Sequence, residues 1–123
     1  MIKALLIEDD PMMVNLYQKA FAAEGIEVDI ARDGEEGLNR IRDTSPDIIL
    51  LDIMMPKMNG MEVLEKVKSN QVKKAIPIII LTNLASEKNE EIALAKGAAR
   101  YLIKDDYDPK QVIGIMKEVL GVN

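Results

Sequence analysis

The sequence predicts an α/β protein, a three-layer sandwich in which helices cover both faces of a five-stranded parallel sheet. Two observations predict this class. Short apolar runs alternate with longer segments of helical periodicity five times along the 123 residues. The runs are apolar at consecutive positions, which is typical of strands that are buried on both faces of a parallel sheet. The length suits one domain, so we expect a single domain over residues 1–123.

The predicted strands differ in character. The third, an isoleucine and leucine run, is too short for an ordinary helix and ends on Asp52. The second alternates apolar and acidic residues, as a less deeply buried strand does. In chain order the predicted strands cover residues 2–7, 26–31, 48–51, 76–82 and 99–103.

Helix start and stop signals mark the segments between the strands. Pro11 suits the first turn of the first helix, and Gly25 suits its end. Ser86 is a typical N-cap for the fourth helix. Asp108 followed by Gln111 predicts the capped start of the fifth helix. The apolar residues that mark the five helices are Met13, Leu16, Tyr17 and Ala20; Leu38 and Ile41; Met61, Leu64 and Val67; Ile92 and Leu94; and Val112, Ile115, Met116 and Val119.

The composition excludes several kinds of chemistry. The sequence has no cysteine and no histidine, so it offers no disulfide, no thiolate nucleophile and no phosphohistidine. A net charge of −5 argues against nonspecific binding to nucleic acid. No apolar run approaches the length of a membrane span. We therefore expect a cytoplasmic protein without membrane insertion or direct nucleic-acid binding.

Polar residues follow four of the predicted strands at their carboxyl ends, namely Glu8 and Asp9, Asp52, Thr82 and Lys104. These ends share one edge of a parallel sheet, where ligands bind in open α/β folds. Neighbouring carboxylates repel each other unless a cation lies among them, and Mg²⁺ prefers such oxygen ligands. Asp52 would then attack a phosphoryl group to form an acyl phosphate, with Mg²⁺, Lys104 and Thr82 stabilising the phosphoryl oxygens.

These residues resemble the CheY-like receiver domain of two-component response regulators, and the resemblance extends over the whole chain. The motifs that resemble it are Glu8-Asp9, Asp52 with Met55-Pro56 and Asn59-Gly60, Thr82, Tyr101 and Lys104. The resemblance implies a flavodoxin/CheY-like fold with strand order 2-1-3-4-5.

The resemblance also implies a phosphorylation site. Asp52 would accept a phosphoryl group from a phosphohistidine of a sensor histidine kinase or a histidine phosphotransfer protein. Asp9, Asp52 and the backbone carbonyl of Met54 would bind Mg²⁺, and Glu8 would act mostly through a coordinated water. Lys104 would pair with the phosphoryl group.

A switch is implied as well. Thr82 would move toward a phosphoryl oxygen, and Tyr101 would swing inward behind it. The face formed by the fourth helix, fifth strand and fifth helix would then change its preference for a downstream target protein or for a second copy of the chain. The phosphoryl group would thus bias a population shift between two states.

The sequence departs from the family's usual residues at two positions. Asp105 follows Lys104, where most relatives have a proline in a cis peptide; a non-proline cis bond costs about 2.5–4 kcal/mol. The loop is therefore expected to be either trans and reshaped or strained. Asn83 stands where the family usually has a small residue, and this affects access of small phosphodonors to Asp52.

The resemblance also bears on the lifetime of the acyl phosphate. In relatives, the residues two positions after the aspartate and two after the threonine tune the attack of water. Here they are Met54 and Leu84, which are apolar and cannot orient a water. We expect slow self-dephosphorylation.

Two other functional classes stay open. A pseudo-receiver would keep the fold as a binding module without phosphorylation. A haloacid-dehalogenase-like phosphatase also uses an aspartate nucleophile with Mg²⁺, but it requires a second acid at the position of Met54. The leading hypothesis is a phosphoacceptor signalling domain rather than an enzyme that turns over a separate substrate.

Overall fold

Five strands alternate with five helices in the computed structural model, which describes residues 1–55 and 58–122. Pro56 of the Met55-Pro56 motif and the last residue of the predicted domain lie outside this part of the chain. The elements are β1 (Lys3–Ile7), α1 (Pro11–Ala23), β2 (Glu27–Ala31), α2 (Gly34–Thr44), β3 (Ile48–Leu51), α3 (Gly60–Ser69), β4 (Ile78–Thr82), α4 (Glu87–Ala95), β5 (Arg100–Ile103), a short 3₁₀ turn (Lys104–Asp106) and α5 (Pro109–Leu120).

The strands form one parallel sheet in the order β2-β1-β3-β4-β5, which confirms the predicted order. The register pairs the last residue of β1, Ile7, with the last residue of β3, Leu51. It likewise pairs Thr82 at the end of β4 with Ile103 at the end of β5. The residues that follow these strands therefore lie at one edge of the sheet.

Each face of the sheet has its own apolar core, which confirms the three layers. Leu5 and Ile7 pack on the side of α2, α3 and α4, whereas Leu6 packs on the side of α1 and α5. This alternation follows from the pleat, which turns successive side chains to opposite faces. Since both faces are covered, every residue of β3 is buried, and burial of each aliphatic side chain contributes about 1.5–3 kcal/mol.

Side-chain caps fix the start of each helix. Ser86 accepts a hydrogen bond from the amide of Asn89, as predicted. Asp108 and Gln111 form the predicted capping box, in which each side chain accepts from the other residue's amide over 2.8 Å. The remaining N-caps are Asp10, Asp33 and Asn59.

The predicted inward side of α1 was wrong at one residue. The buried residues of this helix are Val14, Tyr17 and Phe21, and the side chain of Leu16 is exposed. Spacings of three and four residues fit two neighbouring stripes of one helix, and only packing decides between them. On α4, Ala93 is the buried residue, and Ile92 and Leu94, which marked this helix in the sequence, are both exposed.

Four strands begin one or two residues later than predicted, whereas both ends of β3 and the carboxyl end of every other strand match the prediction. β4, for example, begins at Ile78 rather than at residue 76. Ile76 donates its amide to the carbonyl of Lys73, so it belongs to the preceding turn. Among the helices of the described ranges, none is both long and apolar enough to cross a bilayer.

Candidate functional site

The site lies where the two central strands end. Glu8 follows β1 and Asp52 follows β3, and the two residues are 2% and 5% exposed. The backbone hydrogen bonds between β1 and β3 continue one residue beyond β3, since the amide of Asp52 donates to the carbonyl of Ile7 over 3.1 Å. The sheet thus fixes the backbone beneath both carboxylates. Asp9 is exposed and lies beside them.

The three predicted metal ligands come together. Glu8, Asp9 and Asp52 each offer one carboxylate oxygen, and these oxygens lie within 4.8 Å of one another. Hard oxygen donors of this kind suit Mg²⁺, which typically takes one or two carboxylates, waters and phosphate oxygens. The donor set therefore fits the ion that the family implies.

Lys104 reaches into the same cluster from β5. Its ammonium nitrogen contacts Glu8 Oε1 and lies 3.1 Å from Asp52 Oδ2. All three side chains are at least nine-tenths buried. Removing one partner of such a buried group leaves an uncompensated charge, which is strongly destabilising.

The cluster contains more carboxylates than ammonium groups. Burial raises the pKa of Glu8 to about 7, although the hydrogen bond from Lys104 opposes this. Burial alone would lower the pKa of Lys104, but the hydrogen bond to Glu8 and the charge of Asp52 outweigh it and raise this pKa. Three carboxylates share one ammonium, so a further cation is electrostatically favoured.

Thr82 and Tyr101 are joined through the main chain of Leu84. Thr82 is fully buried at the end of β4, and its hydroxyl accepts a hydrogen bond from the amide of Leu84 over 3.3 Å. The Tyr101 hydroxyl donates to the carbonyl of Leu84 over 2.6 Å. The Tyr101 ring already points inward, with 9% of the residue exposed. The movement of Thr82 and Tyr101 on phosphorylation stays a prediction.

The residues expected to control access to Asp52 and the attack of water are Met54, Asn83 and Leu84. The amide of Met54 donates to Asp52 Oδ1 over 3.0 Å, while 57% of the residue is exposed. Leu84 is partly buried and packs on the core. Asn83 is exposed. Both positions expected to tune the attack of water therefore present apolar side chains.

The Lys104–Asp105 peptide is trans, which decides between the two expectations for this loop. In the described chain, residues 104–106 form a 3₁₀ turn, and the amide of Tyr107 donates to the carbonyl of Lys104 over 3.4 Å. Asp105 and Asp106 are exposed, so their charges lie in solvent.

Two features of the site were missed from the sequence. One is the direct contact between Glu8 and Lys104, which depends on the position of β5 relative to β1. The other is the role of Gly60. A Cβ atom at this position would lie 2.5 Å from the carbonyl oxygen of Asp52. The Asn59-Gly60 motif was the available signal, since glycine permits close backbone approach.

Comparison with known families matches residues 4–116 to the response regulator receiver domain. The chain belongs to this family. The match confirms the resemblance and gives no support to the phosphatase alternative. The molecule is therefore a receiver domain of the kind found in two-component signalling.

Individual relatives agree with this assignment. The alkaline phosphatase synthesis transcriptional regulatory protein PhoP of Bacillus subtilis is 35% identical over 118 residues, which cover 96% of this chain and 48% of PhoP. The receiver domain thus spans about half the length of the curated relatives it matches.

Solved structures show the same fold. A CheY-like response regulator receiver domain protein from Methanospirillum hungatei superposes with a TM-score of 0.91 at 30% identity, covering 98% of this chain and 94% of the other. The phosphorylated cyanobacterial phytochrome response regulator RcpA gives 0.82 at 31% identity, covering 96% and 90%.

Proposed function

We propose that this receiver domain accepts a phosphoryl group on Asp52 from a phosphohistidine of a sensor histidine kinase or histidine phosphotransfer protein. The supporting observation is the carboxylate cluster of Glu8, Asp9 and Asp52 with the ammonium of Lys104 bound to Asp52. A nucleophile that is held by a cation at a strand end is suited to group transfer.

In the proposed reaction, a carboxylate oxygen of Asp52 attacks phosphorus and forms an acyl phosphate. The bond between phosphorus and the imidazole nitrogen of the donor breaks, and the imidazole leaves. Lys104 stays beside the phosphoryl oxygens and stabilises their negative charge. Thr82 is buried at the adjacent strand end, and its hydroxyl would donate to one of these oxygens.

Mg²⁺ is the proposed cofactor. Asp9, Asp52 and the carbonyl of Met54 would hold it, with Glu8 acting mostly through a coordinated water. When bound, the ion would neutralise charge on the transferring phosphoryl group. The surplus of carboxylates over ammonium groups in the cluster supports this requirement.

The output would be a change in protein contacts through α4, β5 and α5. Tyr101 lies on β5, and its hydrogen bond to Leu84 joins that strand to the loop before α4. α4 also exposes Ile92 and Leu94, which suits a contact with a target protein or a second copy. We place this activity in the cytoplasm, without nucleic-acid contact by the domain itself and without turnover of a separate substrate.

Phosphoryl uptake can be measured directly. Wild type and Asp52→Asn are incubated with Mg²⁺ and acetyl phosphate, or with a phosphorylated sensor kinase, and intact mass is recorded. We expect one added phosphoryl group on the wild type and none on the variant. Beryllofluoride serves as a control for an acyl-phosphate mimic. If no donor phosphorylates the wild type, the proposal is wrong and the pseudo-receiver alternative holds.

A further inference from the structure

A small notch lies between α2 and α3, at the end of the molecule opposite Asp52. Both helices end there, just before β3 and β4 begin. The notch has a volume of about 90 Å³. Leu38, Ile41 and Val67 form its apolar floor. The polar residues on its rim are Arg42, Lys66, Asn70 and Lys73. We call this notch together with Val72 the α2–α3 surface.

The α2–α3 surface is basic in an acidic protein. Residues 66–76 contain four lysines and no acid, whereas the whole chain has a net charge of −5. The carbonyl ends of helices attract cations, which accounts for Lys66 within α3. It also accounts for Lys73, which meets Ser45 at the end of α2, but it does not account for Lys74, which follows the last residue of α3. Arg42 is paired with Asp43 over 2.9 Å and contributes less.

The loop after α3 is held in one conformation. The Asn70 side chain accepts hydrogen bonds from the amides of Val72 and Lys73 over 2.8 and 2.9 Å. The Lys68 ammonium donates to the carbonyls of Lys74 and Ile76 over 3.0 and 2.8 Å. Lys73 in turn donates to the hydroxyl of Ser45 at the end of α2.

This ordered loop presents Val72 to water, with 80% of the residue exposed. Fixing a loop reduces conformational entropy, and an exposed valine gains nothing from it in the isolated domain. A preformed surface does reduce the entropy that is lost on binding. Val72 directly precedes Lys73, which lines the notch, so this loop presents an exposed apolar side chain and cations that are suited to recognition.

We propose that the α2–α3 surface docks an acidic peptide segment of a partner protein. One aliphatic side chain of that segment would enter the notch, and its carboxylates would meet Lys66, Lys73 and Lys74. The notch has room for one short side chain, which is too little for lipid insertion. Among these rim and loop residues there is no aromatic ring on which a nucleic-acid base could stack. This docking is separate from phosphorylation of Asp52.

The test uses the full chain, labelled with ¹⁵N for NMR titration. The probe is a synthetic peptide of glutamates with one central leucine. Amide shifts are expected at residues 38–42 and 66–74. A second peptide with serine in place of leucine should bind about tenfold more weakly, because the buried aliphatic contact is lost.

Variants of exposed residues test the surface itself. Val72→Ser keeps all charges and should weaken binding about fivefold to tenfold. Lys66→Gln should weaken it by about threefold at low ionic strength, and the matched control Lys110→Gln on α5 should not. Unchanged spectra elsewhere show that each variant is folded.

Three outcomes would overturn the proposal. The first is equal affinity for the leucine and serine peptides, which indicates charge alone. The second is tighter binding of these residues to anionic lipid vesicles or duplex DNA than to the leucine peptide. The third is shifts that miss the α2–α3 surface, or no shifts at all.

Discussion

The Tyr101 hydroxyl donates a hydrogen bond to the carbonyl oxygen of Leu84 over 2.6 Å. The amide of the same leucine donates to the hydroxyl of Thr82 over 3.3 Å. The Leu84 segment therefore connects the buried Thr82 hydroxyl at the end of β4 with the Tyr101 ring on β5. A displacement of Thr82 would move the acceptor of Tyr101, and this gives the proposed switch a physical connection.

Tyr101→Phe tests this connection. The substitution keeps the ring but leaves the Leu84 carbonyl without its donor, so we expect a loss of about 1–2 kcal/mol in the free energy of unfolding. Urea denaturation measures it. Tyr107→Phe is the control, because no hydrogen bond of its hydroxyl is found within the described chain. Equal losses for both variants would contradict a special role for the Tyr101 hydroxyl.

Lys104→Met tests the charge balance of the site. The methionine keeps most of the side-chain volume but removes the ammonium from Glu8 and Asp52, which are both buried. In chelator, we expect the free energy of unfolding to fall by about 3 kcal/mol. Mg²⁺ should restore part of this loss, since it supplies a cation to the same carboxylates.

The control for this experiment is Lys110→Met, an exposed lysine outside the cluster. Its stability should change by less than about 0.5 kcal/mol and should respond to Mg²⁺ as the wild type does. A Lys104 variant that Mg²⁺ stabilises no more than it stabilises the wild type would contradict the shared-carboxylate interpretation.

The sheet and the acidic cluster were predictable for a simple reason. Consecutive buried residues such as those of β3 identify a strand covered on both faces, and a parallel sheet brings the following acids to one edge. The strand order came from resemblance alone. The contacts of Lys104 with Glu8 and of Tyr101 with Leu84 were not predictable, because they depend on loop conformation and rotamer choice. The exposure of Leu16 likewise depends on how α1 rotates against the sheet.

Met54→Asn with Leu84→Glu tests the lifetime of the proposed acyl phosphate. Both wild-type side chains are apolar, and the Met54 amide already contacts Asp52, so a polar group here would lie close to the phosphoryl group. We expect the double variant to lose its phosphoryl group about tenfold faster or more, because it can orient an attacking water. The half-life is followed by intact mass after removal of the donor. Unchanged half-lives would reject the tuning role while leaving phosphorylation of Asp52 intact.

Gly60→Ala tests how α3 supports the segment that carries Asp52. A Cβ atom at residue 60 would lie 2.5 Å from the carbonyl oxygen of Asp52 and 2.6 Å from the Cα atom of Ile53. Both are backbone atoms, so the overlap can be relieved only if α3 or the segment that follows β3 moves. We expect a loss of about 3 kcal/mol in the free energy of unfolding, and slower phosphoryl uptake by whatever remains folded.

Gly114→Ala is the matched control for Gly60→Ala. Gly114 lies within α5, and apart from its chain neighbours and the nearby backbone of this helix, no atom of the described residues lies within 4 Å of its ideal Cβ position. Alanine is the better helix former, so this variant should be more stable by about 0.5–1 kcal/mol. Urea denaturation of both variants measures the difference in sign. A stable Gly60→Ala protein with normal phosphoryl uptake would show that the close approach of α3 to Asp52 is not required. A destabilised Gly114→Ala protein would contradict the open space at this position of α5, and Gly114→Ala would then not serve as the control.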